Sequence, residues 1–284
     1  MAKLFRNSLF LSSTLLNCEV WYGLTLKDIE IFENLDLILL KKIFEAPKST
    51  PNVSVYLELG CIPIRFIIKS RRLMFLHYLL QQDVDSLLSK FFVAQCENPS
   101  KGDWWFDAKK DLLDLHLEMS LEEIKRMSKN SFKTKVKLAI EREALKFLIE
   151  RKSDKSKLKD LCYEELKMQE YLKSSSLQIG EKKLLFQLRT RMLDVKENFK
   201  HAYTDHVCPL CGSENDSQQH LLDCVTISED SSSMIDPNVK YSDLFSNDVS
   251  KQAQITRLFR SQLKKRRHFL QKKSKSLSQV TQVI

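Results

Sequence analysis

Glycine is scarce in this sequence, and this scarcity restricts the fold more than any other feature. Only five of the 284 residues are glycine, whereas glycine makes up about 7% of an average protein. Glycine supplies the left-handed backbone of tight hairpin turns and of phosphate-binding loops. A sandwich of many strands and a glycine-rich nucleotide site are therefore both disfavoured. The sequence predicts a mostly α-helical protein.

Apolar residues recur at helical spacing along most of the chain. They make up 43% of the sequence and charged residues 29%, which is an ordinary globular balance. Thr25 and Asp28 have the spacing of a capping box at the start of a helix, and two prolines at 46–51 stop that helix. The clearest patterns predict helices at 64–80, 121–152, 161–172, 182–203 and 249–273.

Breaks between these helices divide the chain into five predicted segments. A polar turn precedes Trp104, which we expect to be a packing anchor. A stretch rich in Ser and Asp after Cys224 is typical of a flexible linker. The segments are a first helical part at 1–104, a helical domain at 105–203, a zinc knuckle at 204–226, a flexible linker at 227–248 and a basic helix with its tail at 249–284. The predicted architecture is thus a bundle-like helical body, a small knuckle and a basic terminal helix.

Three cysteines and a histidine lie close together after the predicted body. Cys208 and Cys211 are separated by two residues, and His220 and Cys224 by three. The first pair has the spacing of a zinc knuckle, Gly212 permits its turn, and the second pair lies on one face of a helical turn. Four protein ligands fill a tetrahedral site, so we expect a structural Zn²⁺ ion. The alternatives are a chance cluster and a redox Cys-x-x-Cys, which lacks its usual βαβ setting.

Positive charge is concentrated at the end of the chain. The net charge is +9, and eleven basic but only five acidic residues follow Cys224. Residues 255–275 contain nine Lys or Arg, no acid, and apolar residues at helical spacing. A helix of this kind can bind phosphates or a membrane surface, act as a nuclear localisation signal, or be a solvated tail. The neighbouring zinc knuckle favours nucleic acid as its partner. The predicted contacts are Arg257, Arg260, Lys264, Lys265, Arg266 and Arg267.

Two smaller groups of cations are also candidate phosphate contacts. Arg65, Lys69 and Arg72 share one face of a predicted helix, at positions i, i+4 and i+7. Arg189 and Arg191 lie on the polar face of another. For the first group, charges that simply point to water are an equally good interpretation.

No catalytic constellation is recognisable, so no catalytic residue and no enzyme activity of the chain alone are predicted. Asp107, Asp111 and Asp114 have the spacing of a solvent-facing helix surface. The seven cysteines are odd in number and dispersed, which favours a reducing compartment, nuclear or cytoplasmic. Four cations within the most apolar window, 62–80, argue against a membrane span.

Several blocks of sequence resemble a known family. In chain order they are NCEVWYGLT (17–25), APKSTP (46–51), YLELGCIPIRFII (56–68), RRLMFLHYLL (71–80), PSKGDW (99–104), RTRMLDVKENF (189–199) and the cysteine cluster with HLLDC (220–224). This order is similar to that of the region downstream of the polymerase domain in non-LTR (LINE-like) retrotransposon reverse transcriptases.

The resemblance implies a helical thumb and connector over 1–104, and a terminal zinc finger that contacts nucleic acid during target-primed reverse transcription. Its ligands would be the three cysteines and His220, and its partners would be RNA or DNA and the polymerase domain of the same element. The polymerase aspartates and the Pro-Asp pattern of a restriction-like endonuclease are not found in this sequence. The predicted function is that of a nucleic-acid-binding C-terminal fragment of such a reverse transcriptase. The alternative is a helical protein-interaction module with a structural zinc knuckle.

Overall fold

The protein is described here by a computed structural model, which covers residues 2–228 and 240–281. Within those residues there is no β-strand, only an isolated bridge between Val207 and Asn215. This confirms the predicted mostly α-helical fold. The α-helices are α1 (Ala2–Phe5), α2 (Leu11–Thr14), α3 (Leu26–Ile43), α4 (Asn52–Leu59), α5 (Ile64–Leu80), α6 (Leu87–Glu97), α7 (Trp104–Asp114), α8 (Leu121–Arg126), α9 (Lys129–Ser153), α10 (Glu170–Lys173), α11 (Ile179–Arg189), α12 (Gln218–Asp223), α13 (Val225–Ser228) and α14 (Val249–Thr281).

Local signals place several helix ends where the sequence predicts them. Thr25 and Asp28 form the predicted capping box, in which the N–H and hydroxyl of Thr25 donate to Asp28 at 2.9 and 2.7 Å. α5 has the predicted bounds and begins directly after Pro63. The side chains of Ser86 and Asp103 cap α6 and α7. None of the described helices is both long and apolar enough to cross a membrane.

Contacts divide the chain into two compact units. Unit 1 comprises Met1–Ile43, Asn52–Asp154 and Tyr163–Lys167, and unit 2 comprises Phe44–Pro51, Lys155–Cys162 and Met168–Ile284, as far as these ranges are described. Each unit combines segments that are distant in the sequence, so the five consecutive segments stay a prediction. Residues 229–239 of the predicted linker lie outside the described residues. Near its end, Tyr241–Phe245 forms a 3-10 helix in which Leu244 is buried.

In unit 1, α5 is the central helix and contacts α3, α6, α7, α8 and α9. Leu76 of α5 and Phe132 of α9 are fully buried in the same hydrophobic core. Trp104 anchors α7 to this core, as predicted. Its ring lies edge-on to that of Phe75, with 5.6 Å between the centroids, and its Nε1–H donates to the carbonyl of Glu19 at 2.7 Å.

A buried ion pair connects the N-terminal segment of unit 1 to α3. Arg6 donates two hydrogen bonds of 2.7 Å to the carboxylate of Asp36, and the two side chains are 2% and 0% exposed. Tyr56 donates to the same carboxylate at 3.2 Å, and Arg6 also donates to the carbonyl of Ile62 at 2.8 Å. Burial raises the pKa of the Tyr56 phenol. The charges can be buried because each has hydrogen-bond partners beyond the other.

The prediction of a helix at 161–172 is wrong except at its end, because α10 is the α-helix in that range and it begins at Glu170. Leu161 is buried in unit 2, whereas Tyr163 donates to Glu58 of unit 1 at 2.6 Å. The helix predicted at 121–152 is two helices, because Ser128 caps a new one by accepting from the N–H of Ser131 at 3.2 Å.

The helix predicted at 182–203 ends early. α11 stops two residues before Arg191, which has a φ of 52°. The N–H groups of Arg191 and Met192 donate to the carbonyls of Leu188 and Gln187 at 3.2 and 2.8 Å, which is the pattern of a Schellman motif. Glycine usually occupies its left-handed position, so the arginine made the helix end unrecognisable in the sequence. Lys196–Ala202 forms a separate 3-10 helix.

In unit 2, α14 is the central helix. It contacts α10, α11, α12, α13 and the 3-10 helix Tyr241–Phe245. Ile255 and Phe259 of α14 are fully buried, as is Phe186 of α11. The ring of Phe186 also packs against that of Phe44, with 5.2 Å between the centroids. The predicted basic terminal helix is therefore confirmed as a helix, and its apolar side is part of a core.

We predict that Asp36→Ala lowers the free energy of unfolding of unit 1 by about 3–5 kcal/mol, because it leaves the Arg6 charge buried without its partner. The measurement is urea unfolding followed by tryptophan fluorescence, which reports unit 1 since it contains all three tryptophans. The control is Glu141→Ala, which removes an exposed pair with Lys137 and should cost less than about 1 kcal/mol. Equal effects of the two variants would contradict the role of the buried pair.

Candidate metal centre and basic helix

The chain reverses direction between Val207 and Asn215, where the isolated bridge forms. The N–H of Cys208 donates to the carbonyl of Glu214 at 2.7 Å, and the N–H of Gly212 donates to the carbonyl of Cys208 at 3.0 Å. Gly212 has a φ of 68°, a conformation that other residues adopt only with strain. The predicted role of Gly212 in the turn is confirmed.

The other two candidate ligands are placed by the short helix α12. The hydroxyl of Ser217 accepts a hydrogen bond from the N–H of His220 at 2.9 Å and so caps the start of α12. Cys224 directly follows the last residue of α12 and has an extended backbone. His220 and Cys224 are both buried. The helix therefore brings an imidazole and a thiol to the turn that carries Cys208 and Cys211.

Cys208, Cys211, His220 and Cys224 lie close enough to hold one metal ion. Their four ligand atoms lie within 4.8 Å of one another. The Sγ atoms of Cys208 and Cys224 are 4.0 Å apart, and the Sγ of Cys211 is 3.4 Å from the Nε2 of His220. A tetrahedral centre with Zn²⁺ bond lengths separates two sulfurs by about 3.8 Å, and a sulfur from a nitrogen by about 3.5 Å. These two separations are close to the tetrahedral values, and all four ligand atoms are near enough to one another to hold one ion.

The surroundings of two of the cysteines shift their pKa values in opposite directions, towards the thiolate at Cys211 and towards the thiol at Cys224. The hydroxyl of Ser213 donates to the Sγ of Cys211 at 3.3 Å, and hydrogen bonds from Ser213 lower the pKa of this thiol to about 6. Burial, together with the nearby Cys208, raises the pKa of Cys224 to about 11. A bound cation would stabilise both thiolates, because metals bind the deprotonated form.

Glu214 orients the histidine. Its Oε2 lies 3.0 Å from the Nδ1 of His220, which leaves Nε2 directed at Cys211. Metal-ligating histidines usually donate their second ring N–H to a carboxylate or carbonyl. The sequence analysis missed this residue. The signal was an acid in the eight-residue loop between Cys211 and His220.

Asp216 connects the knuckle to α14. Its carboxylate, 1% exposed, accepts hydrogen bonds of 2.5 and 2.8 Å from the guanidinium of Arg266. It also accepts from the N–H of Lys196 at 2.9 Å, while its own N–H donates to the carbonyl of His206 and its carbonyl accepts from the N–H of Glu197. One buried carboxylate thus joins three segments of unit 2. Arg266, predicted to contact phosphate, is occupied by this pair.

Gln218 adds a second buried connection within unit 2. Its Nε2 donates to the carbonyl of Leu188 at 3.1 Å and to the hydroxyl of Tyr241 at 3.0 Å. Its Oε1 accepts from the Nδ2 of Asn198 at 3.0 Å. The start of α12 is therefore fixed to α11 and to both neighbouring 3-10 helices.

Most of the predicted basic residues of α14 lie on its exposed face. Arg260, Lys264 and Arg267 are exposed, and none of them forms an ion pair with a carboxylate in the described part of the chain. Arg257 is also exposed, but its Nε donates to Glu181 at 3.1 Å. Lys265 is half-buried. The exposed cations of α14 have the spacing i, i+3, i+7 and i+10 and therefore form one row along the helix. This cationic row consists of Arg257, Arg260, Lys264 and Arg267.

The cations predicted on α5 are held by carboxylates of unit 1. Arg65 donates two hydrogen bonds of 2.8 Å to Glu33, and Arg72 donates to Asp111 at 2.6 Å. Lys69 pairs with Asp111 and Asp114. These pairs compete with any phosphate, so the phosphate contacts of this group stay a prediction.

The interpretation of Asp111 as a solvent-facing residue is wrong, because it is 4% exposed. Burial raises its pKa, while Arg72 and Lys69 act in the opposite direction. Arg72 is likewise buried rather than directed to water. The reason is that α5 and α7 contact each other, so that the charged faces of two helices meet. The periodicity of one helix does not show which neighbour it will pack against.

The two predicted cations of α11 and its C-terminal turn are in different environments. Arg189 is buried, donates to the carbonyl of Leu244 at 2.6 Å, and lies over the ring of Tyr171, 5.5 Å from its centroid. Arg191 is half-buried and donates to Asp160 at 2.5 Å. The guanidinium of Arg189 is thus part of the core of unit 2, whereas Arg191 lies at its surface.

Comparison with known proteins identifies no relative. No protein-family model matches the chain, and neither does any curated protein or any solved structure. The features of the chain that bear on its function are therefore the four side chains that could hold a metal ion and the cationic row.

We predict that the purified chain binds one equivalent of a divalent metal and that Cys211→Ser lowers this content, because a hydroxyl replaces one of four thiolate or imidazole ligands. The measurement is metal analysis after gel filtration. Cys162→Ser is the matched control, since Cys162 is an exposed free cysteine outside the cluster. Equal metal content in the wild type and in both variants would contradict the site.

Asp216→Asn should release α14, because it leaves Arg266 half-buried without its charge partner. Hydrogen exchange of the α14 amides around Phe259 should accelerate about 100-fold or more. The control is Asp205→Asn, which removes an exposed pair with Lys196 and should leave this exchange unchanged. Unchanged protection in Asp216→Asn would show that packing alone holds the helix.

Proposed function

We propose that unit 2 is a nucleic-acid-binding module stabilised by a structural Zn²⁺ ion. Three thiolates and one imidazole are a ligand set that Zn²⁺ prefers, and four protein ligands leave no open position for a reacting water. The role of the ion would be to hold the turn at Cys208 against α12. Because Asp216 lies within this loop and binds Arg266, the same fold also positions α14.

The observation that carries the proposal is the cationic row. One side of α14 is buried through Ile255 and Phe259, and the opposite side presents the row to solvent. Positive side chains at helical spacing reach successive phosphates, and the gain in free energy comes from the release of counterions. Three members of the row have no carboxylate partner among the described residues, so they are available to bind phosphates.

The sequence blocks support a narrower form of the proposal. We infer that the chain is part of the region downstream of the polymerase domain in a non-LTR retrotransposon reverse transcriptase. The support is the order of the blocks and the cysteine cluster that follows them. In this proposal any polymerase activity is supplied by the polymerase domain of the element, and this chain contributes nucleic-acid binding.

One observation favours a second candidate function, that of a protein-interaction module. Ile31, Leu35 and Ile38 of α3 are 59%, 47% and 64% exposed and follow one another at i, i+4 and i+7. An apolar stripe of this kind is typical of a helix that binds another protein. In that case the metal would only stabilise the fold, and nucleic acid would bind weakly or not at all.

We predict that replacing Arg260, Lys264 and Arg267 with Gln weakens binding of a short single-stranded oligonucleotide. Each phosphate contact contributes about 0.7 to the slope of log K against log salt for single strands, so the slope should fall by about 2. Fluorescence anisotropy at several salt concentrations, with RNA and with DNA, measures both quantities. Circular dichroism and metal content should not change, since these side chains are exposed.

The matched control replaces Lys129, Lys133 and Lys137 with Gln. These lysines are also exposed and form a row at i, i+4 and i+8 on α9 of unit 1, so the change in net charge is the same. If both triple variants reduce the slope equally, then net charge rather than α14 accounts for binding. If the wild type does not bind the oligonucleotide at low salt, the proposed function is wrong. The protein-interaction module is then the favoured hypothesis.

A further inference from the structure

Unit 2 has a second cationic surface, made of residues outside the cationic row. It is a cleft of about 340 Å³ beside the 3-10 turn Ser156–Leu158 and the 3-10 helix Lys196–Ala202. The charged and titratable residues that line it are Lys157, Lys159, Arg191, Glu197, Lys200 and His201. We propose that this cleft binds one phosphate group, and that the group belongs to the backbone of the nucleic acid bound by α14. The second half of this statement rests on the proposed function.

The charge of the lining favours an anion. Four of the six side chains just named are cations, and Glu197 is the one carboxylate among them. Asp160 pairs with Arg191, but both side chains remain partly exposed, at 34% and 26%. An excess of two cations remains after both carboxylates are counted. The field in the cleft is therefore positive, and the concave shape strengthens it.

Arg191, which lines this cleft, has an unused donor. Its Nη2 binds Asp160, whereas its Nε is buried and has no hydrogen-bond partner in the described part of the chain. A buried donor without a partner is rare in proteins, and one explanation is a ligand that supplies the acceptor. The left-handed backbone at this position would favour glycine, so an arginine adopts it at a conformational cost. Both observations are explained if the guanidinium holds an anion.

Lys157 is fixed at the side of the cleft. Its Nζ donates to the carbonyl of Asn198 and lies over the ring of Phe199, 5.0 Å from the centroid. Burial lowers the pKa of Lys157, since the charged amine has lost part of its hydration. An anion in the cleft would compensate for that loss. A cation held in place also loses little side-chain entropy on binding.

The cleft is attached to the same carboxylate that positions α14. Lys196 and Glu197, at the start of the 3-10 helix, donate their N–H groups to the side chain and the carbonyl of Asp216 at 2.9 and 3.0 Å. Asp216 also binds Arg266 of α14. The wall of the cleft and the cationic row are therefore held by one residue, which is why we assign both to one nucleic acid.

A phosphate group suits this lining better than a carboxylate. Its oxygens accept hydrogen bonds from several directions at once, and arginine N–H groups match their spacing. The share of volume of one water molecule is about 30 Å³, so the cleft has room for a phosphate and several of its waters. It has too many cations for a neutral ligand.

The first experiment titrates the metal-loaded full chain with inorganic phosphate and with pyrophosphate at constant ionic strength. Amide signals of Ser156, Lys157 and Lys200 in ¹H–¹⁵N spectra should shift and saturate, while those of Arg260 and Lys264 on α14 should shift little. Chloride at the same ionic strength should shift none of them. Absence of saturable shifts at the cleft with phosphate, pyrophosphate and oligonucleotide alike would overturn the proposal.

Arg191→Gly is the most informative variant. Glycine is the preferred residue at a left-handed helix end, so the fold should be retained. Loss of the guanidinium should weaken phosphate binding at the cleft by about tenfold or more. Lys200→Gln, which changes an exposed side chain, should weaken it less. Lys251→Gln, an exposed lysine of unit 2 outside the cleft, is the control and should have no effect.

Oligonucleotide without a terminal phosphate distinguishes the two sources of the group. If it shifts the cleft amides and displaces inorganic phosphate, the cleft binds backbone phosphates, and Arg191→Gly should lower the salt slope by about 0.7. If it leaves the cleft amides unshifted while inorganic phosphate moves them, the cleft is a site for a free anion and the backbone assignment is overturned.

The failure of this proposal differs from the failure of the proposed function. If the oligonucleotide binds Arg191→Gly with unchanged affinity and salt slope, the assignment of the cleft to a backbone phosphate is overturned and α14 remains the contact. If the chain binds inorganic phosphate in the cleft but binds no oligonucleotide, the cleft is a phosphate site and the proposed nucleic-acid binding is wrong.

Discussion

The arrangement of unit 2 depends on one buried ion pair, between Asp216 and Arg266. Asp216 lies between two metal-ligand candidates in the sequence, and Arg266 lies in the middle of the basic helix. A carboxylate that is 1% exposed needs a charged partner and further donors, and here the guanidinium and the N–H of Lys196 supply them. The knuckle alone has few apolar residues to bury. It is through this pair, with Gln218, that the knuckle becomes part of a larger core.

The sequence was sufficient for features that are encoded by nearby residues. The four metal-binding candidates, the role of Gly212 and the capping box at Thr25 depend on spacings of a few residues, and each was placed correctly. The bounds of α5 were predicted because Pro63 fixes its start. The mostly helical fold followed from composition, since so few glycines leave few tight turns.

The features that the sequence did not reveal are contacts between distant segments. The interpretation of Asp111 was wrong because its partners, Arg72 and Lys69, are on another helix. The end of α11 was missed because Arg191 occupies a position where glycine is the usual signal. Among the basic residues of α14, the sequence predicted Arg260 and Arg266 alike as phosphate contacts, and only the fold shows that Arg266 is bound to a carboxylate. Clusters of charge in a sequence therefore indicate candidate phosphate-binding residues. They do not show which of these residues already form ion pairs within the fold.

The sharing of Asp216 by the knuckle loop and α14 has a thermodynamic consequence. If unit 2 binds nucleic acid as proposed, and if metal binding orders the loop that carries Asp216, then the ion also orders the helix that Arg266 attaches to that loop. Metal affinity and oligonucleotide affinity are then linked. Such coupling is reciprocal: whatever factor the ion adds to the affinity for oligonucleotide, the oligonucleotide adds to the affinity for the ion. A chelator would then compete with nucleic acid without touching the surface that binds it.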